Sequence, residues 1–263
     1  MASDDSGPLP SQGAAPPNIA RAYNHLLGGK DTLEADRLLA ERMLEAWPRA
    51  ADAAIANRRF IRRSVRFMVE QGVDQFVDVG AGLPTENNVH QVAQALNPDA
   101  RVVYVDNDPV VVSHGNALLA GTGTRMLQAD MSEPAAILDD PAVRELIDFG
   151  RPVGVLFVAS LHFLSPEEDA HGVVAAFRDA MAPGGHLAIS HGLISEEIRE
   201  AVQRYKTATD RGTPRTEAEI AAFFDGFTLV EPGLVPLGEW QREPAEVPEN
   251  MAGLPMLAGV GRR

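Results

Sequence analysis

The strongest constraint on this chain is a repeated alternation: short β-rich apolar runs, each followed by a stretch of helical character. Strands are expected at Phe76–Val79, Val102–Asp106, Arg125–Ala129, Val153–Ala159 and Leu187–Ser190. Helices are expected between them, at about 86–96, 109–120, 166–181 and 195–207, with an interrupted one over 132–148. Alternation of this kind implies a parallel sheet covered by helices on both faces. Runs such as VVYV and VGVLFVA are continuously apolar, as burial on two faces requires. The ending breaks the rhythm. FTLVEPG and MLAGVGR are strand candidates joined by a Pro-rich stretch with no convincing helix. A parallel pair needs a long crossover, so the sheet is expected to end with one reversed strand.

Ahead of the alternation, residues 18–71 read as helical. Asp31 and Glu34 have the spacing of a capping box opening a helix to about Ala46. Trp47-Pro48 breaks it, and a second long helix runs to Gln71 before Gly72. Residues 1–17 are rich in Ser, Gly and Pro and are expected to form a disordered tail. The expected division is therefore a tail at 1–17, a helical extension or lid at 18–72, and a sheet domain at 73–263.

The chain has 263 residues, 45% of them hydrophobic, enough for a substantial core. No apolar run approaches the roughly 20 residues of a membrane span. The N-terminal sequence lacks the basic-then-apolar layout of a secretory signal, which makes the cytoplasm the expected location. A formal charge of −14 argues against a polyphosphate backbone as principal partner. The absence of cysteine excludes disulfides, thiolate metal sites and cysteine nucleophiles. Only two lysines occur, Lys30 and Lys206, so the arginine count reflects a general bias in basic residues.

Open α/β sheets bind ligands beyond the carboxyl ends of their strands, where strand order reverses. The first strand exits into DVGAGLPTEN, in which Gly80 and Gly82 permit a turn and close ligand approach. Asp106 ends the second strand, with two oxygens able to accept both ribose hydroxyls. Asp130 ends the third, where it could accept from an exocyclic amine while Met131 lies against the ring. Each acid could instead cap a helix. A dinucleotide loop would carry a third glycine in register, whereas Leu83-Pro84-Thr85 follows Gly82, and no Walker lysine is present. Asp78, two residues before Gly80, is unfavourable beside pyrophosphate and suited to the ammonium and sulfonium of S-adenosylmethionine.

The set DVGAGLPT, VVYVDNDP, LQADM and GFTLVEPGLVPLGEW…LAGVGRR resembles class I S-adenosylmethionine-dependent methyltransferases. NIARAYNHLLGGKDTLEADR, NRRFIRRSVRFM and FVDVGAGLPTENNVH resemble more closely the bacterial S-adenosyl methyltransferase family, over roughly residues 18–263. The resemblance implies a Rossmann-like α/β fold with a seven-stranded, mostly parallel sheet in the order 3-2-1-4-5-7-6, strand 7 antiparallel. It implies S-adenosyl-L-methionine as cofactor and S-adenosyl-L-homocysteine as product. Gly80, Ala81 and Gly82 would border the methionine portion, Asp106 and the adjoining Asn107 the ribose, and Asp130-Met131 the adenine. Ala159, at the fourth strand's exit, joins these contacts. Pro84 stands where many members of the superfamily carry a third glycine.

NIARAYNHLLGGKD suggests a lid that brings Tyr23 and Arg21 to the methionine end or the substrate; its plain alternative is an amphipathic helix with a glycine cap. Arg58, Arg59, Arg62, Arg63 and Arg66 span an arc of about 140° opposite Ala54, Ile61, Val65 and Met68. That pattern reads as a solvated basic face paired with internal acids, an acidic substrate or partner being the alternative. His162 is the candidate general base, with His25 and His191 as weaker choices. No histidine pair has helical metal-ligand spacing, and no metal site is expected. The expected activity is methyl transfer to an unidentified acceptor, a small molecule first and a protein second. No nucleic-acid or membrane partner is expected, and the lid and Arg-rich helix are candidates for a homodimer contact. The rival readings are a non-catalytic module that binds S-adenosylmethionine or S-adenosylhomocysteine, and a nicotinamide-dependent oxidoreductase.

Overall fold

The computed structural model describes residues 17–118, 121, 123–196, 198–199, 212–242 and 253–263. All but the last residue of the expected tail, most of the expected helix at 195–207, and Lys206 lie outside this set. Three helices come first, α1 (Ile19–Leu26), α2 (Glu34–Ala46) and α3 (Ala50–Glu70). The alternating part then runs β1 (Gln75–Val79), α4 (Val89–Leu96), β2 (Arg101–Asp106), α5 (Pro109–Leu118), β3 (Thr124–Gln128), α6 (Pro134–Leu138) and α7 (Pro141–Leu146). It continues through β4 (Gly154–Val158), α8 (Ala170–Ala180), β5 (His186–Gly192) and α9 (Glu217–Ala222), ending with β6 (Thr228–Leu229), β7 (Val235–Pro236) and β8 (Met256–Arg262).

The sheet order is β3-β2-β1-β4-β5-β8-β6, with β7 also pairing β8. β1 to β5 are parallel, whereas β8 is antiparallel to both β5 and β6. This is the expected topology with one strand more. The addition, β7, pairs Val235 and Pro236 with Ala258 and Leu257. Proline has no N–H for a ladder, which keeps such a strand short and at an edge.

Alternation along the strands sorts the core into two layers. Val77, Val79, Val103, Val105, Val155 and Phe157 belong to one apolar cluster, with Val143 of α7 and Phe177 of α8. Phe76, Val102, Tyr104 and Leu156 belong to the other, with Phe60, Val65 and Met68 of α3. The expected apolar stripe of α3 is thus its sheet-facing side. Asp78 shares the parity of Phe76, and Asp106 that of Tyr104. Both carboxylates therefore rise on the α3 side of the sheet.

Two helix starts differ from expectation. α2 begins at Glu34, and Asp36 rather than Glu34 reaches back, its Oδ2 accepting the Leu33 N–H at 2.8 Å. α4 begins at Val89, three residues late, because Asn88 organises the preceding turn: its Oδ1 accepts the Thr85 N–H and its Nδ2 donates to the Thr85 carbonyl. No described helix is long and apolar enough to cross a membrane.

One buried ionic cluster ties α1 and α2 to the sheet. Arg21 donates from Nε to Asp36 Oδ2 at 2.8 Å and from Nη1 to Asp108 Oδ2 at 3.1 Å. Asp108 in turn accepts the Val110 and Val111 N–H groups at the start of α5. Asp36 is wholly buried and also accepts the Asn18 N–H, the entry to α1. Removing one member of such a cluster leaves an uncompensated buried charge. Asp36→Ala is expected to lower stability by about 3 kcal/mol, read from the urea midpoint at unchanged m. A loss below about 1 kcal/mol would show that α1 is held by its apolar contacts alone.

Candidate functional site

Strand order reverses between β1 and β4, since β1 pairs β2 on one side and β4 on the other. At their carboxyl ends, under α1, lies a cavity of about 340 Å³. Gly80, Ala81 and Gly82 form its floor, with Gly80 at φ +77° and Gly82 at φ +66°. The Gly80 and Ala81 N–H groups both donate to the Val105 carbonyl, folding the loop over β2. A Cβ on Gly80 would stand 2.5 Å from Ser160 Cβ, so glycine is required sterically as well as conformationally.

Asp106 projects from β2 into this space. Its Oδ2 accepts the Gly82 N–H at 2.9 Å and its Oδ1 the Asp108 N–H at 3.0 Å. One acceptor site on each oxygen is thereby used and the carboxylate is locked in orientation. Burial pushes its carboxyl upward, opposed by these N–H donors. Asp78 is deeper, 5% exposed. Burial pushes its carboxyl up to about 7, Arg58 pulls it down, and Asp106 adds to the rise.

Of the residues singled out in the sequence, Tyr23, Asp78, Gly80, Ala81, Gly82, Asp106, Asn107, Met131 and Ala159 all border the cavity. The Tyr23 hydroxyl donates to the Ala54 carbonyl at 2.9 Å, and burial raises its phenol to about 12. Ala159 takes the left-handed region at φ +56°, its N–H meeting the carbonyl and hydroxyl oxygens of Ser190. That conformation costs an alanine about 1–2 kcal/mol, a local strain of the kind found beside ligands.

Asp130, His162, His191 and Arg21 lie apart from the lining. Asp130 turns back on its own loop, where Oδ1 accepts the Ser132 N–H and hydroxyl at 2.9 and 2.8 Å. Its Oδ2 accepts from Asn107 Nδ2 at 3.4 Å, and Asn107 borders the cavity. His162 packs against Phe163 and His191, with ring centroids 4.4 and 5.3 Å away. Its Nδ1 is buried without a partner, and burial together with Arg215 lowers the ring to about 4. The alternative His191 is fully buried, its Nε2 2.7 Å from Arg215 Nη1 and its Nδ1 2.9 Å from the Gly192 carbonyl. Arg21, read as a contact to methionine or substrate, serves the ionic cluster described above.

Arg58, expected on a solvated basic face, belongs to the site. It projects from α3 to the cavity, while its Nη2 donates to the Glu86 and Asn87 carbonyls at 3.1 and 3.0 Å. Its neighbour Arg63 is buried and donates from Nε to the Trp240 carbonyl at 2.7 Å, whereas exposed Arg66 pairs with Glu70. The expected uniform basic face is divided among separate roles. Helical periodicity alone does not set Arg58 apart from the other four arginines. Ser160 and Phe163 are further lining residues, and Ser160 Oγ is buried without a hydrogen-bond partner.

The lining fits S-adenosylmethionine: two buried acids suit a cationic, hydroxyl-bearing ligand, and the Gly80 cradle admits close approach. A family described as S-adenosyl methyltransferase matches residues 10–263. A candidate methyltransferase from Thermobifida fusca YX shares 42% identity, covering 94% of this chain and 95% of its own, with a TM-score of 0.88. A DUF574-family protein from Streptomyces avermitilis MA-4680 shares 36% identity over 94% and 98%, with a TM-score of 0.89. Magnesium protoporphyrin IX methyltransferase from Synechocystis PCC 6803, solved with S-adenosylhomocysteine, is 14% identical over 92% of each chain; its TM-score of 0.54 reflects a shared fold. A comparison with curated protein sequences returned no match.

The Asp78 carboxyl has a testable pH signature. Raised from 3.8 to about 7, it binds more proton in the folded state, so its stabilising contribution is complete below about pH 4 and is lost as pH rises to 7. Asp78→Asn removes this penalty and is expected to raise the melting temperature at pH 8 by several degrees. An ammonium group beside it favours the ionised carboxylate. S-adenosylhomocysteine affinity should therefore rise with pH to about 7 in the parent protein, and be lower and flat across that range in Asp78→Asn. Parallel pH profiles for the two proteins in calorimetry would exclude Asp78 as the ammonium partner.

Proposed function

Because the chain belongs to the S-adenosyl methyltransferase family and is an S-adenosylmethionine-dependent methyltransferase, we propose that the cavity under α1 is its cofactor site and that its acceptor is a small molecule. The observation that carries the reading is the convergence of a glycine turn, Asp106 with Asn107, and Met131 from three successive strand exits on one cavity. The cofactor, when bound, supplies a methyl group already electrophilic on its sulfonium.

The protein's residues then have distinct tasks. Gly80, Ala81 and Gly82 leave room for the methionine portion. Asp78 neutralises the ammonium and Arg58 the carboxylate, the two side chains being close enough for Arg58 to lower the Asp78 carboxyl. The remaining acceptor sites of Asp106 take the ribose hydroxyls. Met131 supplies an apolar wall for the adenine, and Asp130 acts through Asn107. α1 acts as the lid, with Ile19, Ala20 and Tyr23 covering the reacting region and excluding water.

Among the described residues that line the cavity none is a histidine. His162, set back from the cavity and neutral to about pH 4, is given a packing role in place of proton transfer. Catalysis then rests on alignment of the acceptor with the methyl group. A small acceptor suits a site roofed by a helix, and the charge of −14 disfavours nucleic acid.

Calorimetric titration with S-adenosylhomocysteine tests the site. Saturable binding is expected, weakened at least about tenfold by Asp106→Ala and abolished by Gly80→Ala, while His162→Ala stays within about threefold of the parent. Full affinity in Asp106→Ala would remove the ribose assignment, and no binding to the parent protein would overturn the reading.

A further inference from the structure

A second depression of about 590 Å³ lies on the far side of Arg58, between the end of α1, the middle of α3 and the loop after Gly82. Its wall carries three guanidinium groups, Arg58, Arg59 and Arg62. Positions i, i+1 and i+4 of one helix set them on a common side. The acids on the same wall are Asp31 and Glu86, both exposed, so the lining carries a net positive charge in a protein of net charge −14. Arg59 and Arg62 also engage protein groups.

Two residues of this wall carry a buried donor with no acceptor among the described residues, Arg58 at Nε and Asn24 at Nδ2, and Asn24 is only 5% exposed. A buried donor left without an acceptor is costly, and an anionic oxygen nearby offsets that cost. The end of α1, which would otherwise repel an anion, is capped: the Tyr23, Asn24 and His25 carbonyls accept from Leu27, Gly29 and Gly28. The two spaces share Arg58 and are otherwise lined by different residues.

We propose that this groove is a binding site for a small anionic ligand, bearing phosphate or carboxylate oxygens, held by Arg58, Arg59 and Arg62. Such a group belongs either to the anionic end of the methyl acceptor or to a separate effector. Arg58 makes the site contiguous with the cofactor cavity in both cases.

The test is calorimetric titration of the full chain with inorganic pyrophosphate, at constant ionic strength maintained with chloride. The parent protein is compared with Arg59→Glu/Arg62→Glu and with the milder Arg59→Gln/Arg62→Gln. Circular dichroism and S-adenosylhomocysteine binding establish that each variant is folded. Expected are saturable binding to the parent and affinity at least about tenfold weaker in both variants, with the cofactor product still bound. Repeating the titration on protein saturated with S-adenosylhomocysteine separates the sources. Undiminished binding with unchanged product affinity supports the acceptor's anionic end, raised product affinity supports an effector, and mutual exclusion would place the anion in the cofactor cavity and overturn the proposal. No saturable binding to the parent, or equal binding to a folded variant, would overturn the proposal. Failure of the parent to bind S-adenosylhomocysteine would strike the functional reading while leaving the pyrophosphate result to stand or fall separately.

Discussion

Two carboxylates held below the surface on one side of the sheet, at the point where strand order reverses, set the terms for the rest of this site. Asp78 and Asp106 share that side because side chains alternate along parallel strands in register, Asp78 opposite Tyr104. Both carboxyls are pushed upward chiefly by burial. The fold offsets that cost locally, with backbone N–H groups on Asp106 and the Arg58 guanidinium near Asp78. On the proposed assignment, a ligand bearing an ammonium group and vicinal hydroxyls completes the balance.

The loop between β1 and α4 follows from the same constraint. Gly80 must lack a side chain to pass Ser160, and both its N–H and that of Ala81 are committed to Val105. Pro84 and the Asn88-centred turn then delay α4 until Val89. The helix N-terminus is thereby separated from the glycine turn by several residues. In a dinucleotide site that terminus instead meets the pyrophosphate directly. The arrangement thus favours a ligand recognised through side-chain carboxylates.

α3 is the element through which the helical segment and the sheet act together. Its apolar side, including Phe60, Val65 and Met68, packs on the sheet, while its arginines diverge around the opposite arc. Arg63 is drawn into a buried bond with the Trp240 carbonyl, Arg58 reaches the cavity, and Arg66 stays at the surface with Glu70. Ahead of it, Arg21 joins Asp36 and Asp108 and fixes α1 over the β2 exit. The roof of the cavity is consequently anchored by charge as well as by apolar contact.

The strand–helix alternation, the reversed last strand and the glycine turn were legible in the sequence because each depends on local pattern: continuous apolar runs, connection length and the steric freedom of glycine. The strand order was implied by the family resemblance. Asp106 and Met131 were legible for the same reason, as residues at strand exits. The remaining assignments depended on what other parts of the chain bring alongside. Asp130 also ends a strand, but Ser132 offers it two donors within its own loop. His162 follows a strand exit, yet it is turned against His191, and its ring is lowered by burial and then by Arg215 from a distant segment. Arg58 sits among five arginines that sequence periodicity treats alike, and only the approach of the 84–88 loop gives it a separate place. Local sequence determined which backbone positions reach the carboxyl edge of the sheet. Tertiary packing decided which side chains there keep free valences for a ligand, because hydrogen bonds and desolvation are set by neighbours remote in the chain.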